Sequence, residues 1–295
     1  MTARRRLLLF GVSGQVGSEL RRLIGDGWEL HAPSETAVDF RDSAALRSFV
    51  RSVRPDAVVN AAAYTAVDQA ESQVELAEAI NAVAPQVLAE EAERLGALLV
   101  HYSTDYVFDG TGTRPYREDD PPAPLSAYGR TKLEGERRIL ASGARAVILR
   151  TSWVFSPYGQ NFLLTMRRLL GERESVRVVS DQRGAPTAAH ALADATLTVL
   201  RADPGTERCG LYHCTAAGET TWHGFAAAIL SRMGPAARCR QVVPIATADY
   251  PTPARRPAYS LLDCSRLISA FGWTRTTWEQ QLDEVWARLD SQAGG

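Results

Sequence analysis

The chain has 295 residues and a net charge of −1, which gives no electrostatic reason to expect binding to nucleic acid or to an anionic membrane. No apolar stretch approaches the roughly 20 residues that a membrane helix needs, and the N-terminus lacks a secretory pattern. The 4 cysteines are too irregularly spaced for a disulfide framework or a metal site. We therefore expect a cytoplasmic protein with one large domain or two closely joined ones, and no metal.

The first predicted element is a short buried strand that runs into glycines. Leu7–Phe10 is wholly apolar, as is typical of a central parallel strand, and leads into Gly11-Val-Ser-Gly14-Gln-Val-Gly17 and a helix over 18–24. Glycines let the backbone turn tightly and approach a pyrophosphate at the helix N-terminus, where free N–H groups favour anions. The order of strand, turn and helix predicts a dinucleotide site. A turn without a ligand is the alternative.

The second predicted strand bears on the choice of cofactor. Trp28–His31 runs into Ala32-Pro33-Ser34, and the first acidic residue, Glu35, comes only afterwards. Sites specific for NAD place an acidic residue at the end of this strand to hold the ribose 2′-OH. The sequence therefore favours NADPH, with NADH as the alternative, and places Ser34 beside the cofactor.

Strands and helices go on alternating as far as Arg150. The predicted elements are a helix over 42–54, a strand over 56–60 with small residues to 63, a helix over 74–95, a strand over 97–101 and a Pro-rich loop over 115–124. This pattern is typical of a doubly wound parallel sheet, in which ligands gather beyond the carboxyl ends of the strands. We expect residues 1–150 to form a Rossmann domain that binds NAD(P).

The alternation loosens after Arg150. The predicted elements are helices over 161–170, 188–200, 222–233 and 278–289, and strands over 176–180 and 210–215. The last helix carries an apolar stripe that we interpret as core rather than as a partner-binding face: Trp278, Leu282, Val285, Trp286 and Leu289. We expect 151–295 to be mainly a smaller α/β substrate-binding lobe, with segments near 176–215 returning to the Rossmann sheet.

Lys132 is the only lysine among the 33 lysine and arginine residues of the chain. A lysine retained in so arginine-rich a chain indicates a place where an ammonium serves and a guanidinium does not. Tyr128 lies four residues earlier, so the two side chains share one face of a helix. A surface lysine that follows a tyrosine by chance is the alternative. Thr104, just past the strand over 97–101, adds a hydroxyl at the same edge of the sheet.

These three side chains suit the reduction of a carbonyl group. A carbonyl that accepts hydride develops negative charge on oxygen and needs a proton from a positioned acid. The phenol of Tyr128 has an ordinary pKa of about 10, which a nearby ammonium lowers. Lys132 can also donate hydrogen bonds to ribose hydroxyls, and Thr104 can hydrogen-bond the reacting oxygen. The sequence therefore predicts a proton donor, its cationic partner and a hydroxyl that orients the substrate.

Several stretches of the chain resemble a known family in the same order. They are FGVSGQVG, VVNAAAYTAVDQAE, VHYSTDYVFDGTG, YGRTKLEGE, RTSWVF, DQRGAPT, GLYHCTAAGETTWHGFA and YPTPARRPAYSLLD. The glycine turn and the Tyr-x-x-x-Lys motif are similar to those of extended short-chain dehydrogenase/reductases, and the ordered set is similar to dTDP-4-dehydrorhamnose reductases. This resemblance implies reduction of the C4 ketone of a dTDP-linked 4-keto-6-deoxyhexose by NADPH or NADH.

The resemblance also implies roles for individual residues. Tyr128 would be the proton donor, Lys132 its partner on the cofactor ribose, and Thr104 the residue that tunes the carbonyl. The expected cofactor-binding residues, besides Tyr128 and Lys132, are Gly11, Gly14, Gln15, Val16, Gly17, Ser34, Asp39, Phe40, Ala63, Tyr64, Thr65 and Tyr102. The expected substrate-binding residues are Thr104, Asp105, Trp153 and Arg256, although Trp153 has an alternative as core and Arg256 as an exposed loop residue.

Some features depart from the family or leave other functions open. Some members dimerise through a magnesium bridge of acidic side chains, and one such position is His190 here, so we predict no metal and keep a homodimer only as an alternative. A nucleotide-sugar epimerase or dehydratase is a second hypothesis, but the Asp-Glu pair typical of dehydratases is absent after Thr104. A non-catalytic regulatory subunit, as of methionine adenosyltransferase, is a third, against which the intact catalytic set argues.

Overall fold

The computed structural model describes residues 4–293 as an α/β protein. Its strands are β1 Arg5–Phe10, β2 Trp28–His31, β3 Ala57–Asn60, β4 Leu98–Thr104, β5 Ala146–Thr151, β6 Val154–Phe155, β7 Ser175–Val179, β8 Arg183–Gly184, β9 Thr187–Ala188, β10 Gly210–His213, β11 Thr220–Thr221 and β12 Gln241–Ile245. Its α-helices are α1 Gln15–Leu23, α2 Ser43–Val53, α3 Val67–Ala70, α4 Val74–Glu78, α5 Ala84–Leu95, α6 Ala127–Ala141, α7 Phe162–Glu172, α8 Ala189–Ala202, α9 Trp222–Met233, α10 Ser265–Phe271 and α11 Trp278–Ala293. A π-helical turn over Ala79–Val83 joins α4 to α5.

The central sheet has six strands in the order β10-β5-β4-β3-β1-β2, and each neighbouring pair is parallel. Its apolar strands are buried on both faces, because alternate residues point to opposite layers. Leu7 and Leu9 pack in a cluster with residues of α8, whereas Leu8 and Phe10 pack in a cluster with residues of α2 and α5. The predicted doubly wound α/β fold is confirmed.

The structure corrects the end of β4. The sequence predicted a strand that stops at His101, with Tyr102, Ser103 and Thr104 just beyond it. These three residues are instead the last of β4, because its ladder with β5 continues until Thr104 lies opposite Thr151. The polar side chains are therefore held by a strand rather than by a loop.

Two glycines let α6 pack closely on the turn after β4 and on the π-helical turn. A Cβ atom on Gly129 would lie 2.2 Å from the carbonyl oxygen of Tyr106, and one on Gly135 would lie 2.1 Å from that of Asn81 in the π-helical turn. Glycine inside a helix is unfavourable by about 1 kcal/mol relative to alanine. Here it allows backbone contact that fixes both the depth and the rotation of the helix. Ser126 caps its N-terminus by accepting a hydrogen bond from the N–H of Gly129 at 3.2 Å.

The later part of the chain builds a second core. Of the predicted apolar stripe on α11, four residues are buried in this core and Trp286 packs against it, so the interpretation as core is confirmed. Of the segment 176–215, β10 lies in the central sheet and α8 packs on α1, while β7 pairs with β12 in a separate two-stranded sheet. Between residues 4 and 293, no helix has the length and apolar character needed to cross a membrane.

Candidate functional site

A cavity of about 750 Å³ follows the carboxyl ends of β1, β3 and β4, below the glycine turn. We call two parts of its lining the inner end and the outer end. The inner end consists of Tyr102, Ser103, Tyr128, Lys132 and Thr151. The outer end consists of Ser34, Glu35, Asp39, Phe40 and Arg41. The volume lies within the range of about 300–1,000 Å³ that is usual for small-molecule and cofactor sites.

The glycine turn joins the two ends. Gly11 has φ of +77°, and a Cβ atom there would lie 2.4 Å from the carbonyl carbon of Ala61 on the neighbouring strand exit. A Cβ atom on Gly17 would lie 2.1 Å from the carbonyl oxygen of Gly11, so only glycine lets α1 begin this close to β1. Gly14 is the N-cap of α1 and offers no capping side chain. The first N–H groups of α1 are therefore left for an anion, and this cradle fits a pyrophosphate.

At the inner end, α6 and β4 bring the predicted catalytic residues together. Lys132 is 2% exposed, donates a hydrogen bond from Nζ to the carbonyl oxygen of Tyr102 at 2.6 Å, and lies 3.3 Å from Nε2 of His101. The hydroxyl of Thr104 neighbours that of Tyr128 and acts to lower the pKa of Tyr128. Tyr128 is half-buried and lines the cavity, whereas Thr104 is buried and does not line it.

Burial shifts the pKa of each residue in the direction that favours its neutral form. Burial raises the pKa of Tyr128 to about 12, although the hydroxyl of Thr104 acts in the opposite direction. The lowering by Lys132 that the sequence predicted is therefore wrong for the free protein. Burial lowers the pKa of Lys132 to about 8, and the charge of Glu136 partly offsets this effect. Tyr128 is therefore a neutral phenol at neutral pH, the form that can give up a proton. Lys132 is protonated below about pH 8.

Asp105 continues the inner end beyond the end of β4. Its Oδ1 accepts a hydrogen bond from the hydroxyl of Thr104 at 3.1 Å. Its Oδ2 has no hydrogen bond of normal geometry within residues 4–293, although the hydroxyl of Ser260 lies near the carboxylate and acts to lower its pKa. The side chain is 2% exposed, and burial raises its pKa to about 6. A buried carboxylate with a free oxygen is suited to accept a hydrogen bond from a ligand hydroxyl.

The outer end is exposed and its charges pair locally. Asp39 and Arg41 form an ion pair with Nη2 to Oδ2 at 2.7 Å, and their side chains are 47% and 66% exposed. This pair lowers the pKa of Asp39 to about 2 and raises the pKa of Arg41. Glu35 accepts a hydrogen bond from the hydroxyl of Ser13 across the glycine turn. The outer end thus combines two carboxylates, one guanidinium and one hydroxyl, that of Ser34.

Trp153 and Arg256 lie outside the lining of this cavity. Trp153 follows β5 with φ of +49°, and its ring stacks on that of Trp222 with centroids 3.6 Å apart. Arg256 is paired with Asp68 on α3, with Nη2 to Oδ2 at 2.8 Å.

The ring of Tyr106 contacts Tyr128 edge-on at 5.5 Å, and its hydroxyl is a hydrogen-bond neighbour of Arg256. Tyr106 therefore links Arg256 to the inner end.

The predicted cofactor-binding residues divide into two groups. Those that line the cavity are Gly11, Gly14, Gln15, Val16, Ser34, Asp39, Phe40, Ala63, Thr65, Tyr102, Tyr128 and Lys132. Gly17 and Tyr64 do not line it, because Gly17 supports the turn and the hydroxyl of Tyr64 donates to Gln73 at 2.9 Å. The sequence reasoning missed Arg41 and Tyr106, although each stands next to a residue that was predicted.

His190 lies at one end of α8, facing α11. Its Nε2 is 2.8 Å from Oε2 of Glu284, while the buried Glu19 contacts Arg288 at 2.7 Å and Arg22 at 2.9 Å. The carboxylate of Glu19 is thus surrounded by cations of its own chain. Within the described part of the chain, no three His, Cys, Asp or Glu side chains are grouped to hold a metal ion. The absence of a metal stays a prediction.

Comparison with known proteins gives consistent matches along the whole chain. Residues 5–291 match the family described as RmlD substrate binding domain. A dTDP-4-dehydrorhamnose reductase of Burkholderia thailandensis is 45% identical over 283 residues, which cover 92% of this chain and 95% of the relative.

Two solved structures have nearly the same fold. The crystal structure of a dTDP-4-dehydrorhamnose reductase from Clostridium acetobutylicum has a TM-score of 0.91 and 37% identity, covering 97% of this chain and 99% of its own. That of a dTDP-4-dehydrorhamnose reductase from Bacillus anthracis, in complex with NADP, has a TM-score of 0.91 and 32% identity. It covers 97% of this chain and 100% of its own.

Proposed function

This chain belongs to the dTDP-4-dehydrorhamnose reductase family, and from that premise we propose that it reduces the C4 ketone of dTDP-4-dehydrorhamnose or of a related dTDP-4-keto-6-deoxyhexose. The resemblance carried by the sequence motifs is confirmed, and so are the reductase class and NADP(H) as cofactor. NADH stays an alternative donor. The observation that carries the proposal is the pair of Tyr128 and Lys132 at the inner end of a cavity that begins at a pyrophosphate cradle, with Thr104 beside Tyr128.

We propose that the cofactor is held along the cavity by the residues that line it. The N–H groups at the start of α1 would bind the pyrophosphate, with Gly11 and Gly14 allowing its close approach. Ser34, Asp39 and Phe40 would meet the adenine end, and Ala63, Thr65 and Tyr102 would lie along the rest. When bound, NADPH supplies the hydride that reduces the carbonyl carbon.

The proton comes from Tyr128. The phenol is neutral below about pH 12 in the free protein, so it can donate its proton to the oxygen as the carbonyl becomes a hydroxyl. Lys132 stabilises the phenolate that is left, because an ammonium favours the charged form of a neighbouring acid. Thr104 would turn its hydroxyl proton from Asp105 to the developing oxyanion and so orient the ketone. These roles are supported by the placement of Tyr128 and Lys132 one turn apart on α6, by Thr104 at the end of β4 and by the family motif.

The sugar and its nucleotide would lie on the far side of Tyr128 from the glycine turn. Asp105 would accept a hydrogen bond from a sugar hydroxyl through its free Oδ2. Trp153 would cover one face of the sugar. Its indole ring is held in place for this contact by stacking on Trp222. Arg256 would contact the diphosphate, sharing its charge between that group and Asp68.

The broader organisation follows from this site. We propose that residues 1–150 are the NAD(P)-binding domain and that 151–295 are mainly the substrate-binding lobe, with α8 and β10 returning to the central sheet. The partner is the dTDP-linked sugar rather than nucleic acid or membrane, and a homodimer is kept as an alternative assembly. A cytoplasmic location is supported by the free thiols of the cysteines.

The decisive experiment incubates the protein with NADPH and a dTDP-4-keto-6-deoxy sugar, freshly made. We expect loss of NADPH absorbance in step with the appearance of one dTDP-6-deoxyhexose, whose configuration at C4 is read by NMR. Tyr128→Phe is the control that keeps the fold and removes the proton donor. An epimerase would change the sugar without net consumption of NADPH, and a regulatory subunit would leave both compounds unchanged. Either outcome would overturn the proposal.

A further inference from the structure

Behind Lys132 lies a buried ion pair that the proposed reaction does not use directly. Glu136 on α6 and Arg150 on β5 are each 2% exposed, and their bidentate contact has Nε to Oε1 at 2.9 Å and Nη2 to Oε2 at 2.6 Å. The hydroxyl of Ser103 also donates to Glu136. The guanidinium of Arg150 lies 5.0 Å from the ring centroid of Phe108.

Stability gives a weak reason to keep such a pair. Taking two charges out of water opposes their attraction so strongly that apolar replacements of similar size are often neutral or stabilising. Here the compensation is also incomplete, since Nη1 of Arg150 has no hydrogen-bond partner among residues 4–293. The pair is therefore better explained by a role other than stability.

The geometry connects this pair to Lys132 along two routes. Tyr128, Lys132 and Glu136 follow one another at intervals of four residues on α6, so all three share one face of the helix. On β4, the carbonyl oxygen of Tyr102 accepts from Lys132, and the hydroxyl of the next residue, Ser103, donates to Glu136. Helix and strand thus hold the carboxylate and the ammonium in one buried array.

We infer that Glu136 is a positioning residue that keeps Lys132 in its charged form, and that Arg150 and Ser103 hold Glu136 in place for this purpose. The inference deepens the proposed function and depends on it for its catalytic consequence. Glu136 is not itself part of the cavity lining and contacts it through Ser103. Its effect is exerted through the charge of Lys132, which in turn stabilises the phenolate of Tyr128.

The groups that face Lys132 make Glu136 the anion of this array. On β4, the carbonyl of Tyr102 and the ring of His101 contact the ammonium, and on α6 Tyr128 and Glu136 stand one turn before and one turn after Lys132. Burial lowers the pKa of His101 far below its ordinary value, so its ring is neutral, and Asn60 on β3 contacts its other nitrogen at 3.1 Å. Burial lowers the pKa of Lys132 and Glu136 raises it, which agrees with the geometry.

The sole lysine makes a direct test possible. Protein grown with [13Cε]lysine gives one lysine signal, whose chemical shift follows the protonation of Lys132 in the free enzyme without cofactor, substrate or turnover. We expect the wild-type midpoint near pH 8. Glu136→Gln should move it to lower pH by about 1 pH unit or more, because a buried countercharge is lost. The basic limb of the kcat profile should move in the same direction.

Three further variants keep the test decisive. Glu136→Gln leaves Arg150 buried without a partner and can fail to fold, so Glu136→Gln/Arg150→Met removes both charges and should still lower the midpoint. Arg150→Met alone should leave the midpoint at or above that of the wild type. Glu134→Gln, on the exposed side of α6 where Glu134 pairs with Arg138 at 2.8 Å, is the control that should change nothing.

Two results would overturn the inference. One is that Lys132 titrates with the wild-type midpoint in a folded Glu136→Gln variant, with or without Arg150→Met. The other is a midpoint lowered by Arg150→Met as much as by Glu136→Gln, since that would indicate general loosening of the site. Because the titration needs no turnover, its failure is distinct from a failure of the protein to reduce a dTDP-4-keto sugar.

Discussion

The two ends of the cavity are governed by opposite physical effects. At the inner end, burial dominates. It raises the pKa of Tyr128 and of the adjoining Asp105 and lowers that of Lys132, so that the neutral form of each is favoured. At the outer end, an exposed ion pair dominates, so the pKa of Asp39 falls to about 2 and that of Arg41 rises. The inner end is thus built by the core of the protein, whereas the outer end is built by side chains in contact with water.

This difference has a functional consequence. Burial brings the pKa values of Lys132 and Asp105 closer to neutral pH, at the expense of stability, whereas it keeps Tyr128 a neutral proton donor by raising its pKa. Groups that only recognise a ligand can stay charged and exposed, where each ion pair contributes about 0–1 kcal/mol. Substitutions at the inner end should therefore change turnover or stability strongly, and substitutions at the outer end should change selectivity modestly.

The largest effect is expected for Tyr128→Phe. The phenylalanine ring can keep the edge-on contact with Tyr106, so only the hydroxyl is lost. Loss of a general acid lowers turnover by about 10²–10⁴-fold. Steady-state kinetics measure this loss, and quenching of tryptophan fluorescence should give nearly unchanged binding of NADPH. Turnover close to the wild-type value would remove Tyr128 from the mechanism.

Asp105→Asn tests whether burial at the inner end reduces stability. The pKa of Asp105 in the folded protein, about 6, lies above its ordinary value of 3.8, so the folded state binds this proton more tightly than the unfolded state. Stability is therefore lost as pH rises from about 4 through about 6, and the loss is complete above that window. At pH 8 the asparagine variant should be more stable by about 2–3 kcal/mol, or roughly 3–5 °C in Tm.

The outer end supplies the control for this prediction. The folded-state pKa of Asp39 is depressed, so its ion pair contributes stability that is present above its ordinary pKa and lost in acid. Asp39→Asn should therefore lower Tm slightly at pH 8, the opposite sign to Asp105→Asn. Thermal unfolding at pH 4 and pH 8 measures both variants. A lower Tm for Asp105→Asn at pH 8 would contradict the contrast between the two ends.

Trp153→Ala asks whether the sugar is held beside the inner end. An aromatic contact contributes about 1 kcal/mol, so the KM for the dTDP sugar should rise roughly five- to tenfold while kcat changes less. Trp286→Ala is the matched control, because Trp286 packs on the core of the lobe. It should lower Tm without raising KM. Equal effects of the two variants on KM would argue that Trp153 acts only through packing.

Much of the fold could be predicted because its strands are apolar runs and its turns are marked by glycines. Trp28–His31 and Trp222–Met233 have the bounds that the sequence predicted. β12 was missed, because it contains Pro244 and finds its partner β7 more than sixty residues earlier. Two-residue strands such as β6 and β9 give no periodic signal at all.

The same holds for the site. Residues that are close in the sequence could be predicted, whereas contacts that only folding creates could not. Tyr128 and Lys132 could be found because their spacing lies on one helix. Glu136 extends that spacing by one more turn, yet its meaning depends on Arg150, which only folding brings to it. Arg41 stands two residues after Asp39 but follows no motif, so only its place in the cavity lining reveals it.

Arg41→Ala should have the smallest effect and act on selectivity alone. Because Asp39 holds Arg41 through an exposed ion pair of little net energy, the guanidinium can turn to the 2′-phosphate of NADPH with little loss. An exposed contact of about 1 kcal/mol corresponds to roughly fivefold weaker binding of NADPH, with binding of NADH unchanged. Fluorescence titrations with both cofactors measure this ratio, and Arg168→Ala, which breaks an equally exposed pair with Glu172, is the matched control. Equal weakening of NADPH and NADH by Arg41→Ala would indicate that cofactor choice lies with Ser34 and Glu35 instead.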